Sequence, residues 1–245
     1  MKSTSSKAEK AAGSRLRNGA RKHDTLPAGD SRYPWIRDRL YVAVVCDVLD
    51  SLGYRKQAMH QRLRPLDADA SVIVGRARTL RWMETDYIAD DPYALEIEAV
   101  DSLKPDDVVI HSTDAGLVNA PWGELMSTVA KKRGAVGCIC DGLIRDCKKI
   151  IDMNFPVFHA GIRPVDSKGR GQVMAYDVPI RCGDVLVHPG ELIFADFDGV
   201  VVIPKKVESK VLRQAWDNVT RENATRRELL EGRTFRDVYD KFGVL

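Results

Sequence analysis

No apolar run in this 245-residue chain approaches the roughly 20 residues that span a bilayer, and the N-terminus has no apolar core of a secretory signal. No CxxC pair occurs among the five cysteines, whose odd number argues against a disulfide framework and for a reducing cytoplasm. No Walker loop and no GxGxxG after a strand is present, so nucleotide binding has no motif behind it. Internal repeats are absent as well. The excess of positive charge is small, +3, and it is unevenly spread. Residues 1–30 carry seven Lys/Arg against three acids, a surplus of four, which leaves the rest of the chain at −1. The basic balance therefore belongs to a tail, and this argues against a nucleic-acid surface.

What remains suits one sizeable domain with appendages: 44% hydrophobic residues fill a core and 30% charged residues make an ordinary soluble surface. Residues 1–33 are polar and poor in large apolar side chains, and read as a disordered basic tail. The α/β domain is expected over 34–206 and a helical extension over 207–245.

Leu40, Val44, Val48 and Leu52 recur every four residues, which predicts one helix over 35–52 capped by Gly53. Residues 71–80 read as a strand with Gly75 at a bulge or a close approach. Residues 82–91 show no clear period, and Asp91-Pro92 is a helix start with Pro at the first helical position. Residues 108–113 form a buried strand, and Glu124 opens a helix that ends at Arg133. Later strands are expected over 156–161, 173–179, 184–188 and 192–203. Residues 166–171 make a mobile loop, and helices fill 205–231 and 235–242. Helices on one side and short β-runs on the other indicate a mixed-strand α/β sandwich without the regular βαβ alternation of a doubly wound fold.

The chain is organised around Cys138-Ile-Cys-Asp-Gly-Leu-Ile-Arg-Asp146. Residues 135–140 read as a short buried strand, Asp141-Gly142 as a turn, and Arg145-Asp146 as a cation and an acid delivered at the strand's carboxyl end. That is the place for a ligand in an α/β fold. It is equally the pattern of a surface ion pair capping a helix. Cys138 and Cys140 share a strand face, but no further Cys/His cluster completes a metal site. His159 and His188 are isolated near strand ends. Gly123 leaves N–H groups free at the start of the helix at Glu124, where an anion is favoured.

Seven blocks, in order, resemble the RraA-like family: Asp47-Val-Leu-Asp-Ser-Leu-Gly53, Val74-Gly-Arg-Ala77, Trp122-Gly-Glu-Leu-Met126, Arg133-Gly-Ala-Val-Gly137, Asp141-Gly-Leu-Ile-Arg-Asp146, Phe155-Pro-Val-Phe158 and Ala195-Asp-Phe-Asp-Gly-Val-Val-Val-Ile-Pro204. The resemblance implies a swivelling β/β/α sandwich, assembled as a homotrimer or dimer of trimers. It also implies a lyase that uses Mg²⁺ or Mn²⁺ to cleave 4-hydroxy-4-methyl-2-oxoglutarate or decarboxylate oxaloacetate. By that resemblance Gly123, Glu124, Leu125 and Met126 bind the 2-keto acid's carboxylate, Arg145 grips the same substrate, Asp146 holds the metal and Glu124 orients a water that takes a proton. The family's acid, twenty residues, then Arg-Asp is matched here with Glu124 in place of the usual Asp. Lys149 stands where active aldolases usually place an acid, and Glu222 is a candidate, by position alone, for an acid donated to a neighbouring subunit. The family's namesake implies a second function, a non-catalytic protein that binds and restrains a ribonuclease. A third is a lyase with another keto-acid or sugar-acid substrate, its pocket reshaped by residues 82–87 and 166–171.

Overall fold

The computed structural model describes residues 26–243 except 115 and 117. In chain order it contains α1 (Arg32–Arg39), α2 (Val42–Ser51), β1 (Arg64–Pro65), β2 (Ile73–Glu84), α3 (Ala94–Asp101), β3 (Asp107–Ser112), α4 (Glu124–Arg133) and β4 (Gly137–Ile144). Then come α5 (Cys147–Asp152), β5 (Val157–Ile162), β6 (Gly171–Tyr176), β7 (Ile180–Cys182), β8 (Val185–Val187), β9 (Leu192–Asp196), β10 (Gly199–Ile203), α6 (Glu208–Leu230) and α7 (Phe235–Phe242).

The main sheet is mixed, as expected, in the order β1-β5-β4-β3-β2-β9-β10, with β6 also on β2. Strands β2 to β5 are parallel, and the pairings of β1, β6, β9 and β10 are antiparallel. One expectation fails here. From β2 to β5 the chain alternates strand and helix regularly, with each strand beside the one before. The run of later strands, β6 to β10, which follow one another with no helix between them, masked that alternation.

Burial on both faces gives the layers. Val109, Cys138 and Cys140 face α3, α4 and α5 through Ala99, Ala130 and Ile150. Their neighbours Val108, Ile110 and Ile139 point the other way, onto Ile180, Val185, Val187, Ile193 and Val202 of the later strands. Leu192, Phe194, Val201 and Ile203 then present the outer face of β9 and β10 to α1, α2 and α6. Each alternate residue of these strands serves a different layer, as the two-residue period of a strand requires.

The first helix is two. Leu40 and Tyr41 are extended, and Val42 N–H donates to Asp196 Oδ2 at 2.8 Å, so an acid from β9 starts α2. The every-four stripe runs across that break unchanged, which is why periodicity missed it. Order also begins earlier than residue 34. Tyr33 is buried, its hydroxyl accepts from Arg76 Nε at 2.8 Å, and Arg32 and Arg76 both pair with the buried Glu208. Residues 1–25 of the expected tail lie outside the described residues. Residues 82–91 divide between the end of β2 and a loop, and Pro92 sits in a turn ahead of α3 rather than in its first turn. The short strand β7 was not anticipated; among the described residues it pairs with β8 alone, across a two-residue turn.

Gly75 marks a close approach, not a bulge. A Cβ there would sit 2.2 Å from the carbonyl oxygen of Asp106 and 2.8 Å from Val136 Cγ2. Backbone cannot retreat as a flexible side-chain tip can. Gly75→Ala is expected to lower stability by about 3 kcal/mol, at the upper end for an overpacked core, read as a fall in the denaturant midpoint. An unchanged midpoint would contradict the approach described.

Candidate active site

The site forms where the start of α4 meets the end of β4. Trp122 bridges Ile144 in parallel, and Arg145 N–H donates to Trp122 O at 2.9 Å. The Trp122 side chain is wholly buried, edge-on to His111 and stacked with Phe155, so this junction is anchored in the core. Gly123 then lies against the next two residues of β4's extension. A Cβ on it would fall 2.8 Å from Asp146 Oδ2 and 3.3 Å from Arg145 Cγ. The absence of a side chain at 123 lets Arg145 and Asp146 close over the helix start.

Arg145 and Asp146 do arrive at the strand's carboxyl end, but not by the expected turn. Asp141 and Gly142 remain within β4, which runs to Ile144 with its register against β5 shifted between Cys140 and Leu143. Asp141 is buried, and it is tied there by Thr113 N–H at 2.7 Å and Thr113 Oγ1 at 2.8 Å. Burial raises its carboxyl while these bonds pull the other way. Gly142 is needed because a Cβ would meet Thr113 Oγ1 at 2.6 Å. An Asp-Gly pair that reads as a turn is here a buried irregularity of a strand.

Asp146 adopts the left-handed conformation at φ 57° and stands at the N-cap position of α5. Its carboxylate does not cap that helix. Oδ2 instead accepts from Glu124 N–H at 3.3 Å, at the positive end of α4. The first backbone bond of α4 runs from Ser127 N–H to Gly123 O, so the N–H groups of Leu125 and Met126 have no partner in the helix ladder. Glu124 is half-buried, and its Oε1 accepts from Thr128 Oγ1 at 3.0 Å. Lys149, one turn into α5, is exposed. Glu222 lies on α6 and accepts a hydrogen bond from Tyr41 of its own chain.

Sequence reasoning missed what holds Arg145 from the far side. Asp166, in the loop after β5, pairs its Oδ1 with Arg145 Nη2 at 3.0 Å and accepts from Tyr93 OH at 2.5 Å on Oδ2. Asp146 Oδ2 is 3.9 Å from Arg145 Nε, so the guanidinium lies between two acids. Burial opposes ionisation of Asp166, yet the Tyr93 hydroxyl, the Arg145 cation and nearby backbone N–H groups hold its carboxyl below the usual range. Burial and the bond to Asp166 push Tyr93 up to about 12. Glu96, buried on α3 behind them, is raised to about 8 by burial and by the Asp166 charge, against the pull of Arg145. Nothing in the spacing of residues 93, 96, 145 and 166 announces that they meet. Beside them lies an open cleft of about 570 Å³ between the loop at Asp86, Tyr87 and Ile88 and the loop from Asp166 to Arg170.

Mg²⁺ is commonly held by one or two carboxylates and keeps several of its own waters. Asp146 suits such a cation: its side chain is 42% exposed, and among the described residues its Oδ1 carries no hydrogen bond. No group of three or more His, Cys, Asp or Glu poised for a metal exists among the described residues. Cys138 and Cys140 share the helix-facing side of β4, fully buried, and burial pushes both thiols up.

The RraA-like family, described as Aldolase/RraA, matches residues 42–202. A protein of Halalkalibacterium halodurans named "Putative 4-hydroxy-4-methyl-2-oxoglutarate aldolase" is 34% identical over 171 residues, covering 70% of this chain and 76% of that protein. Among solved structures, Streptomyces coelicolor RraAS2, described as an unusual member of the RNase ES inhibitor RraA protein family, is 26% identical with a TM-score of 0.73, covering 81% of this chain and 97% of that one. An uncharacterized protein of Pseudomonas syringae is 25% identical with a TM-score of 0.75, covering 86% and 98%.

Glu96 carries a pH signature. Its carboxyl is raised in the folded chain from an ordinary 4.5 to about 8, so the stability it permits is full below 4.5 and is lost as pH climbs through 8. Glu96→Gln, which needs no proton, should match wild type near pH 4.5. At pH 8 it should be more stable, on the order of 4 kcal/mol if the whole shift is realised. Urea unfolding at the two pH values checks this; equal stability at pH 8 would contradict a buried, protonated Glu96.

Proposed function

The chain belongs to the RraA-like family, and from that premise we propose that it is a divalent-cation-dependent carbon–carbon lyase acting on a pyruvate-type 2-keto acid. The observation that carries the reading is the convergence of a free helix start, a guanidinium and an exposed carboxylate at Gly123, Arg145 and Asp146. The name of the Halalkalibacterium relative supports the substrate class.

A 2-keto acid presents a planar carboxylate beside a carbonyl. The N–H groups of Leu125 and Met126 at the positive end of α4 would receive that carboxylate, with Arg145 supplying a fork of donors that stays charged. Asp146 would hold the cation with its free oxygen. When bound, a hard divalent cation supplies positive charge where the keto oxygen becomes negative. For 4-hydroxy-4-methyl-2-oxoglutarate, Glu124 would accept the proton of the 4-hydroxyl through a water as the C–C bond breaks. The electrons of the C3–C4 bond pass to the C1–C3 fragment as the enolate of pyruvate, which then takes up a proton, while C4 becomes the keto carbon of a second pyruvate. Loss of CO₂ from oxaloacetate leaves the same fragment, so both reactions fall within the proposal. The likeness to RraA proteins extends the reading to a homotrimer or dimer of trimers.

A second reading, a non-catalytic regulator that binds a ribonuclease, keeps a foothold in two observations. Lys149 is a cation one turn from Asp146, and the Streptomyces neighbour belongs to an RNase ES inhibitor family. Pyruvate formation separates the two readings. With Mg²⁺ or Mn²⁺, and with the cation-only rate subtracted for oxaloacetate, turnover is expected that chelator removes. Arg145→Ala and Asp146→Ala should each lower kcat/KM at least a hundredfold, and Lys149→Asp should lower the cation concentration needed for half-maximal rate. No turnover by folded wild-type protein on either substrate would overturn the lyase reading and favour the regulator.

A further inference from the structure

We infer that Asp166 and Tyr93 form a positioning clamp that fixes the Arg145 guanidinium so that it can receive a substrate carboxylate. The inference rests on the keto-acid reading of the site and deepens it. Arg145 follows the end of β4, and its side chain is 38% exposed. An unrestrained arginine there would forfeit rotamer freedom on gripping a ligand. Asp166 removes part of that freedom in advance by engaging Nη2 at 3.0 Å.

Asp166 is itself immobilised. Tyr93 OH occupies its second oxygen, and the loop that carries it is fastened to the neighbouring one by Thr85 N–H to Arg170 O at 3.0 Å. Gly169 packs so close to Ile88 that a Cβ would lie 2.9 Å from Cγ1. With both oxygens engaged, Asp166 is poorly placed to bind a cation or relay a proton. A guanidinium has five N–H donors in a plane, and Asp166 holds it as an ion pair at Nη2. Nη1 makes no hydrogen bond among the described residues, and Nε is 3.9 Å from Asp146. The open edge of the fork is thus held at a set angle between Asp146 and the cleft that Asp166 lines. Behind the clamp, Glu96 is kept largely protonated at neutral pH, so Asp166 remains Arg145's one fully charged partner on that side.

The test uses the full chain with Mg²⁺ and pyruvate as the probe, measured by calorimetry, together with the rate at which phenylglyoxal modifies Arg145, read by peptide mass mapping. Asp166→Asn is expected to weaken pyruvate about tenfold and Tyr93→Phe about threefold. KM should rise more than kcat falls, and Asp166→Glu should recover part of the loss. In an Arg145→Ala background Asp166→Asn should change pyruvate affinity no further, which a general structural defect would not reproduce. Arg145 should be modified several-fold faster in Asp166→Asn. Unchanged affinity and unchanged modification rate in folded Asp166→Asn would overturn the clamp, as would an equal loss with and without Arg145. Wild-type protein that binds no pyruvate would contradict the keto-acid reading separately; the clamp then stands or falls on the modification rate.

Discussion

One backbone junction governs the site. Trp122 O accepts from Arg145 N–H at 2.9 Å, and the peptide that follows Trp122 belongs to a glycine because Asp146 Oδ2 and Arg145 Cγ leave no room for a Cβ. Two segments more than twenty residues apart are thereby fastened so that the N-terminus of α4 and the carboxyl end of β4 open on the same point. The junction is rigid because its tryptophan is sealed in the core beneath it, between His111 and Phe155. Site precision here is borrowed from core packing.

The charges at that point are arranged asymmetrically. Arg145 lies between Asp146 and Asp166, but the two acids are in different circumstances. Asp166 accepts a hydrogen bond on one oxygen, pairs with Arg145 through the other and is held ionised, whereas Asp146 keeps one oxygen unbonded in an exposed side chain. A third acid, Glu96, is neutralised by burial close by. Had all three been ionised and free, their repulsion would have required a counter-charge beyond one guanidinium. Burial thus separates three carboxyl groups into a restraint, a neutral neighbour and an available ligand.

Much of this was legible in the sequence, and the failures share a cause. Helix α4 and its glycine start, the buried strand after Gly134, the two C-terminal helices and the pairing of Arg145 with Asp146 all follow from local pattern. The break between α1 and α2 does not, since it depends on Asp196 arriving from β9 to meet Val42 N–H. Asp141-Gly142 looks like a turn because nothing local reveals that Thr113 satisfies the aspartate inside the sheet. Asp166 was visible only as part of a polar glycine-rich loop; its partners Tyr93 and Arg145 lie 73 and 21 residues away in the chain. Long-range polar contacts leave no period to read, and they are what complete the site.

The central claim is that Asp146 and Arg145 serve a cation and a keto acid at one place. Water-proton relaxation with Mn²⁺ addresses it without requiring turnover. One Mn²⁺ per chain should bind to wild type, bind more tightly when pyruvate is added, and be lost in Asp146→Ala. In Arg145→Ala, Mn²⁺ should still bind but no longer respond to pyruvate. Mn²⁺ binding that is indifferent to Asp146, or that pyruvate leaves unchanged in wild type, would contradict the account.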